Sequence, residues 1–182
     1  MTQLLADIFY ERGPIKTIGV IGMGYVGIPA AALFAQSFNK VYGFQRDSTS
    51  SGYKISLLNS GKNPLKGEEP GLDELIHDVV EKKGFECTSD FSKISLCDAV
   101  TIAIQTPFLD SNDLIPDFSA LEEGVRQAGK YLTKGSLIVL ESTITPGTTA
   151  IWARKILEEE SGLIAGKDFG LAHAPERVMV GR

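Results

Sequence analysis

Three glycines, at residues 22, 24 and 27, form the sharpest chemical signal in the chain. They lie in Gly22-Met-Gly-Tyr-Val-Gly27, directly after an apolar run over residues 17–21 and before an Ala-rich stretch. In that context Gly22 permits a tight turn, Gly24 lets the backbone approach a pyrophosphate, and Gly27 lets the following helix pack closely on the strand. The amino-terminal end of that helix offers free N–H groups to the phosphates. The spacing predicts a dinucleotide site, with a purely structural glycine turn as the alternative.

The end of the second predicted strand bears on which dinucleotide is bound. A carboxylate about 20 residues after the glycines usually holds the adenosine ribose 2′-hydroxyl. Gln45 occupies that place here and is followed by Arg46 and Asp47. A missing carboxylate beside an arginine is the pattern that accommodates a 2′-phosphate, whereas Asp47 could replace the missing acid. NAD and NADP both stay open at this point, and so does Arg46 as a solvated loop cation.

Polar clusters follow three more of the predicted strands. They contain Thr106 in Gln105-Thr-Pro107, Thr143 in Glu141-Ser-Thr143, and Glu176 with Arg177 in His173-Ala-Pro-Glu-Arg-Val178. Each cluster alone has a plain explanation as a turn, a helix cap or a surface ion pair. Because the carboxyl ends of parallel strands meet at one edge of a sheet, where ligands bind in open α/β folds, the three clusters together predict a site.

Alternating strands and helices must position these residues. Continuous apolar runs predict strands near residues 17–21, 41–44, 85–87, 99–104, 137–140 and 169–172, with helical stretches between them. Strands that are apolar on both faces are typical of a parallel sheet covered by helices on both sides. The pattern predicts an α/β Rossmann domain, a doubly wound and mostly parallel sheet in the order 3-2-1-4-5-6. We expect this domain over residues 15–182, after an N-terminal extension over residues 1–14 that forms a short amphipathic helix.

Composition excludes several classes of protein. The 182 residues carry 18 Lys+Arg and 23 Asp+Glu, a net charge of −5, so we expect neither nucleic acid nor a membrane as partner. No apolar run approaches the roughly 20 residues of a membrane-spanning helix, and the first residues do not resemble a signal peptide, which predicts a cytoplasmic location. Cys87 and Cys97 form no metal-binding or disulfide pattern, so no metal is expected.

Four motifs taken together resemble the UDP-glucose/GDP-mannose dehydrogenases, which oxidise nucleotide sugars to uronic acids. They are the glycine segment, Thr106-Pro-Phe108 with Pro116-Asp117, Glu141-Ser-Thr-Ile-Thr-Pro-Gly147, and Pro175-Glu-Arg-Val178. In order, they cover nearly the whole chain from Lys16. The last motif resembles the branch that acts on UDP-N-acetylhexosamines, UDP-N-acetyl-mannosamine in particular. The UDP-glucose branch has a second Glu four residues after the first, where this chain has Val180.

The resemblance implies roles for matching residues. Tyr25 and Val26 would lie along the pyrophosphate, and Gln45 and Arg46 would face the adenosine ribose. Thr106 would contact the cofactor, and Thr143 would lie near the nicotinamide and help to place a water. Glu176 would be the general base or orient that water, and Arg177 and Val178 would touch the UDP-sugar.

The resemblance also implies a longer enzyme. The family moves four electrons to two NAD+ through a cysteine thioester, and its Cys, Lys and Asn lie downstream of the Pro-Glu-Arg motif. Arg182 precedes them, so we expect these 182 residues alone to be inactive. The full-length enzyme would be a homodimer or larger. Alternatives are the same chemistry on UDP-N-acetylglucosamine, UDP-N-acetylgalactosamine or UDP-glucose, or a non-catalytic NAD(P)-binding module.

Overall fold

Eight strands and six α-helices make up the fold in a computed structural model that describes residues 5–66, 69–110 and 115–177. The strands are Thr17–Ile21 (β1), Lys40–Phe44 (β2), Phe85–Thr88 (β3), Ala99–Ile102 (β4), Phe108–Asp110 (β5), Ile115–Pro116 (β6), Leu137–Leu140 (β7) and Gly170–His173 (β8). The helices are Leu5–Arg12 (α1), Gly27–Ser37 (α2), Tyr53–Asn59 (α3), Leu72–Glu81 (α4), Ser119–Tyr131 (α5) and Arg154–Ser161 (α6). A 3₁₀ helix spans Phe91–Leu96, and a π-helical segment, Thr148–Ala153, leads into α6.

One sheet of six parallel strands forms the centre, in the order β3-β2-β1-β4-β7-β8. Counted along the chain, this is the predicted order 3-2-1-4-5-6, so the sequence prediction of a doubly wound sheet is confirmed. Every pairing in the sheet is parallel. The carboxyl ends of all six strands therefore lie along a single edge.

Helices cover both faces of this sheet and close two apolar clusters. One cluster joins β1 and β2 to α2 and α4, and includes the buried Val20, Ile28 and Ile76. The other joins β4 and β7 to α5 and α6, and includes the buried Val100 and Leu157. Burial on both faces explains why the strands are continuous apolar runs without in-and-out alternation. Among the described residues, no helix is long and apolar enough to cross a bilayer.

The region after β4 departs from the sequence prediction in two ways. The fourth strand ends at Ile102, not at residue 104, because Ile21 and Leu140 end the neighbouring strands in the same register. The segment predicted as a plain polar loop over residues 105–116 contains an antiparallel pairing of β5 with β6. A hydrogen bond from the Asp117 amide to the Pro107 carbonyl (2.6 Å) closes the base of this pairing, ten residues apart along the chain.

Helix α1 packs against the amino-terminal edge of the sheet, opposite the strand ends that carry the polar clusters. The Arg12 guanidinium donates to Asp98 Oδ1 (3.0 Å), to the Cys97 carbonyl (3.0 Å) and to the Lys134 carbonyl (2.8 Å). Asp98 Oδ2 accepts the Thr17 amide at the start of β1 (2.9 Å). The extension is thus tied to β1, β4 and β7 and leaves the carboxyl edge open.

Candidate functional site

Two adjoining cavities lie along the carboxyl edge of the sheet. The larger, of about 890 Å³, runs from the ends of β2 and β3 across the glycine turn to α5. The smaller, of about 400 Å³, lies over the loops that follow β4, β7 and β8. Gly24, Tyr25 and Gln105 line both, so the two cavities meet at the amino-terminal end of α2. The larger has the size of a site for a cofactor-sized ligand.

The glycine turn fits close against its neighbours in a way that only glycine allows. Gly22 has a φ of +102°, and a Cβ on it would lie 2.5 Å from the Ala103 carbonyl oxygen. A Cβ on Gly27 would lie 1.9 Å from the Gly22 carbonyl oxygen. A Cβ on Gly24, in contrast, would meet no atom within 4 Å. Gly22 and Gly27 therefore build the turn, and Gly24 leaves open space above the backbone for a ligand.

The first turn of α2 presents its N–H groups without a side-chain cap. Val26 precedes the helix and makes no side-chain capping bond, and the first turn carries no acidic residue. Unsatisfied amides and the positive end of the helix dipole favour an anion at this position. Tyr25 reaches outward, where its hydroxyl donates to the Lys66 carbonyl (3.3 Å). The residues present thus fit the pyrophosphate of a dinucleotide.

Gln45, Arg46, Asp47 and Lys54 form what we call the ribose corner, at the β2 end of the larger cavity. The Gln45 amide nitrogen donates to Ser51 Oγ (2.9 Å), and Arg46 is exposed. Lys54 Nζ donates to the Met23 carbonyl in the glycine turn (2.8 Å), and burial lowers the pKa of Lys54. Sequence reasoning missed Lys54, because no spacing rule links this position on α3 to the glycine turn.

Ser142 and Thr106 join the loops that line the smaller cavity. Ser142 Oγ donates to the Ile104 carbonyl (2.7 Å) and accepts the Ile104 amide (3.2 Å). Thr106 Oγ1 donates to the Thr143 carbonyl (2.8 Å). His173 Nε2 lies 3.3 Å from the Ser142 carbonyl oxygen. These bonds hold the segments after β4, β7 and β8 together, so the three polar clusters converge.

Two glutamates line the smaller cavity together. Glu176 is positioned by backbone pairing that continues past β7 and β8, with its amide donating to the Glu141 carbonyl (3.3 Å). Its side-chain Oε1 accepts the Arg177 amide (2.6 Å). Glu141 Oε2 is buried without a hydrogen-bond partner. Burial and, to a smaller extent, the charge of Glu176 raise the pKa of Glu141. Sequence reasoning gave Glu141 no role of its own, because the burial of one side-chain oxygen leaves no signal in the order of residues.

Most of the predicted site residues line one of the two cavities, and a few do not. Gly22, Gly24, Tyr25, Gln45 and Arg46 line the larger cavity, and Val26, Thr106, Thr143 and Glu176 line the smaller one. Gly27 lies behind the turn as a packing residue. Arg177 is exposed and lines neither cavity, and Val178 lies outside the described residues.

Neither cysteine is suited to nucleophilic chemistry. Cys87 and Cys97 are both buried, and burial raises the pKa of each thiol to about 12. At neutral pH such a thiol is almost wholly protonated, and the thiolate is the nucleophilic form. Within residues 5–66, 69–110 and 115–177, no group of three His, Cys, Asp or Glu side chains could hold a metal ion.

Comparison with known proteins gives consistent matches. The sequence profile for the NAD binding domain of the UDP-glucose/GDP-mannose dehydrogenase family matches residues 16–182. UDP-N-acetyl-D-mannosamine dehydrogenase of Pyrococcus horikoshii is 39% identical over 165 residues, which cover 91% of this chain and 37% of that protein. GDP-mannose 6-dehydrogenase of Pseudomonas syringae pv. syringae is 37% identical over 87% of this chain and 35% of that protein.

A solved structure is closer still. The crystal structure of NDP-N-acetyl-D-galactosaminuronic acid dehydrogenase from Methanosarcina mazei Go1 is 68% identical, with a TM-score of 0.96. The match covers all of this chain and 39% of that one. The chain therefore spans less than two fifths of the length of these relatives.

Proposed function

Since the chain belongs to the UDP-glucose/GDP-mannose dehydrogenase family, of which it forms the NAD binding domain, we propose that it serves a nucleotide-sugar 6-dehydrogenase that oxidises a UDP-N-acetylhexosamine to its uronate. Its cofactor is NAD. The observation that carries the proposal is the junction at Gly24 and Tyr25. There, a cavity suited to a dinucleotide meets one lined by Thr106, Thr143 and Glu176.

The substrate class is inferred from two relatives and one motif. The Pyrococcus horikoshii and Methanosarcina mazei proteins both carry an N-acetylhexosamine in their names. The Pro175-Glu-Arg-Val178 motif, with Val180 where the UDP-glucose branch has Glu, also favours an N-acetylated sugar. UDP-N-acetyl-mannosamine is the first candidate. UDP-N-acetylgalactosamine is the second, because the relative named for a galactosaminuronic acid is 68% identical.

The chemistry requires a hydride acceptor, a base and a water. Oxidising a C6 alcohol to a carboxylate removes two hydrides, consumes one water and releases three protons, so two NAD+ are reduced in turn. NAD supplies the hydride acceptor when bound. Glu176 accepts a proton at its carboxylate, oriented by the Arg177 amide, and Thr143 orients the water. The hydrogen bond between Thr106 and Thr143 holds the loop after β4 and the loop after β7 in a fixed position relative to each other.

Residues 1–182 by themselves do not complete this reaction. The second oxidation in the family pattern needs a cysteine thiolate to hold the aldehyde. With both thiol pKa values at about 12, neither Cys87 nor Cys97 supplies one. Neither cysteine lines either cavity. The nucleophile therefore belongs to residues outside this chain.

Two measurements test the proposal. Calorimetric titration of the 182-residue chain should give saturable 1:1 binding of NAD+. The protein that carries these residues, assayed by NADH absorbance on UDP-N-acetylmannosamine, UDP-N-acetylgalactosamine, UDP-N-acetylglucosamine and UDP-glucose, should form two NADH per N-acetylhexosamine consumed. Binding of NAD+ with no turnover of any UDP-sugar would instead indicate a non-catalytic NAD-binding module. Absence of NAD+ binding would reject both readings.

A further inference from the structure

Glu141 is an ionisable residue of the smaller cavity to which the proposed reaction gives no role. It follows β7 directly, and its Oε2 is buried without a hydrogen-bond partner. It takes part in none of the ion pairs among the residues that the structure describes. A charged carboxylate in such surroundings loses hydration and gains no partner, whereas a neutral acid loses much less. The surroundings of Glu141 therefore favour its protonated form.

Glu176 lines the same cavity, in different surroundings. Its amide donates to the Glu141 carbonyl (3.3 Å), so the two backbones run next to each other where the chain leaves β7 and β8. Its Oε1 accepts the Arg177 amide (2.6 Å), an arrangement that suits a carboxylate as the acceptor. The charge of Glu176 adds to burial in raising the pKa of Glu141. Two carboxyl groups of one cavity are thus set apart by their environments, as in sites that divide acid and base roles.

We propose that Glu141 and Glu176 form an acid–carboxylate pair, in which Glu176 ionises first and serves as the base while Glu141 retains its proton as a neutral acid. The inference rests on the proposed function, because it takes Glu176 as the base of the dehydrogenase reaction. Like charges in one site make the second proton harder to remove than the first. Glu141 then acts through Glu176, as a positioning residue that confines the negative charge of the cavity to one carboxylate.

Few other ionisable groups lie near Glu141. In the described part of the chain, Tyr25 is the one further titratable side chain that lines the smaller cavity. His173 Nε2 lies 3.3 Å from the carbonyl oxygen of Ser142, the residue after Glu141. The side chain of Arg177 is exposed and lines neither cavity. The pair itself is therefore the main source of charge in this cavity.

Carbon-13 NMR of the 182-residue chain, labelled at the glutamate carboxyl carbons, measures the protons directly. Glu141→Gln and Glu176→Gln each remove one resonance and so assign the pair. We expect Glu141 to titrate above about 4.3, the ordinary value for glutamate, and above Glu176. In Glu176→Gln the midpoint of Glu141 should move toward lower pH, because a neighbouring charge is gone. Glu159→Gln is the matched control, since Glu159 is exposed on α6 and pairs with Lys155 (3.8 Å), and it should leave that midpoint unchanged.

Kinetics of the protein that carries these residues gives the functional readout. Glu176→Gln should lower kcat about 100-fold or more, the usual size of a lost general base. Glu141→Gln should stay within about 3-fold of the parent at the acid end of the pH profile, because an amide matches the shape of a neutral acid. As pH rises, the ratio of kcat/KM in Glu141→Gln to that in the parent should increase by about 3-fold or more, since only the parent gains a second negative charge that repels the anionic nucleotide sugar. A merely structural role would leave this ratio the same at every pH.

Several outcomes would overturn the pair and leave the proposed function standing. One is a Glu141 midpoint at or below that of Glu176, and another is a midpoint that Glu176→Gln does not move. Equal losses of kcat in Glu141→Gln and Glu176→Gln, or a kcat/KM ratio that does not change with pH, would also overturn it. Absence of NAD+ binding, together with absence of turnover of any UDP-sugar, would remove the proposed function and this inference with it.

Discussion

Gly24→Ala should separate cofactor binding from folding. A Cβ on Gly24 would meet no atom within 4 Å, and the φ of Gly24 lies outside the left-handed region. Alanine at such a site restricts the unfolded chain and should stabilise the fold by about 0.4–1 kcal/mol. For a domain of this size, that raises Tm by roughly 1–4 °C. The added methyl group would extend into the space above the turn that both cavities share.

We expect Gly24→Ala to weaken cofactor binding without destabilising the fold. If the pyrophosphate approaches the backbone at Gly24, a methyl group there displaces it from the amides of the turn. Losing one hydrogen bond to a charged group is worth about 1.5–3 kcal/mol, or roughly 10- to 100-fold in the Kd for NAD+. Calorimetry on the parent chain and on Gly24→Ala measures that ratio, and a thermal melt of the same samples measures the stability change.

Gly27→Ala is the matched control, three residues along the same turn. A Cβ there would lie 1.9 Å from the Gly22 carbonyl oxygen, so we expect destabilisation toward the upper end of the roughly 1–3 kcal/mol range for overpacking. Gly24 is thus predicted to affect the affinity for the cofactor, and Gly27 the stability of the fold. Unchanged NAD+ affinity in Gly24→Ala, or a melt as low as that of Gly27→Ala, would refute the reasoning.

Three further predictions concern titrating groups. Glu141→Gln should stabilise the chain at pH 7 and not at about pH 4. Because the pKa of Glu141 is raised in the folded protein, its contribution to stability is lost as pH rises. A difference in Tm between variant and parent that is the same at both pH values would contradict this. Asp98→Asn should lower the free energy of unfolding by about 1–3 kcal/mol at pH 7 and by less at pH 3. Although burial raises the pKa of Asp98, hydrogen bonds from Lys16, Thr17 and Arg12 together lower it, so its contribution is lost as pH falls; equal urea midpoints of variant and parent at pH 7 would rule this out. Cys87 and Cys97 should react with a disulfide reagent only after unfolding, and rapid native-state labelling would count against their burial.

The dinucleotide turn could be predicted from sequence because its physics is local. Gly22, Gly24 and Gly27 lie within six consecutive residues. The need for a positive φ or for a close backbone approach arises within that short segment. Apolar runs likewise identified the six strands of the sheet, since burial on both faces leaves a continuous pattern. The hairpin of β5 with β6 escaped prediction because short exposed strands carry no such pattern.

The ribose corner and the smaller cavity depend on contacts between distant residues. Lys54 reaches the Met23 carbonyl across 31 positions, and Ser142 reaches Ile104 across 38. No spacing rule connects such pairs, because the register of the sheet decides which loops meet. The burial of Glu141 Oε2 belongs to the same class, because no local pattern in the sequence reports the burial of a single side-chain oxygen.

The sequence by itself determined the sheet order, the glycine turn, the family and the edge of the sheet along which the polar clusters lie. Local sterics and two-sided burial leave signatures in residue order, and the carboxyl ends of parallel strands share one edge whatever the side chains. Only the tertiary structure decided that Lys54 joins Arg46 at the ribose corner, and that Glu141, with its Oε2 buried, lines the same cavity as Glu176. It also decided that both thiols are shielded from solvent. Charge state and hydrogen bonding depend on three-dimensional neighbours, which the parallel register brings together from distant parts of the chain.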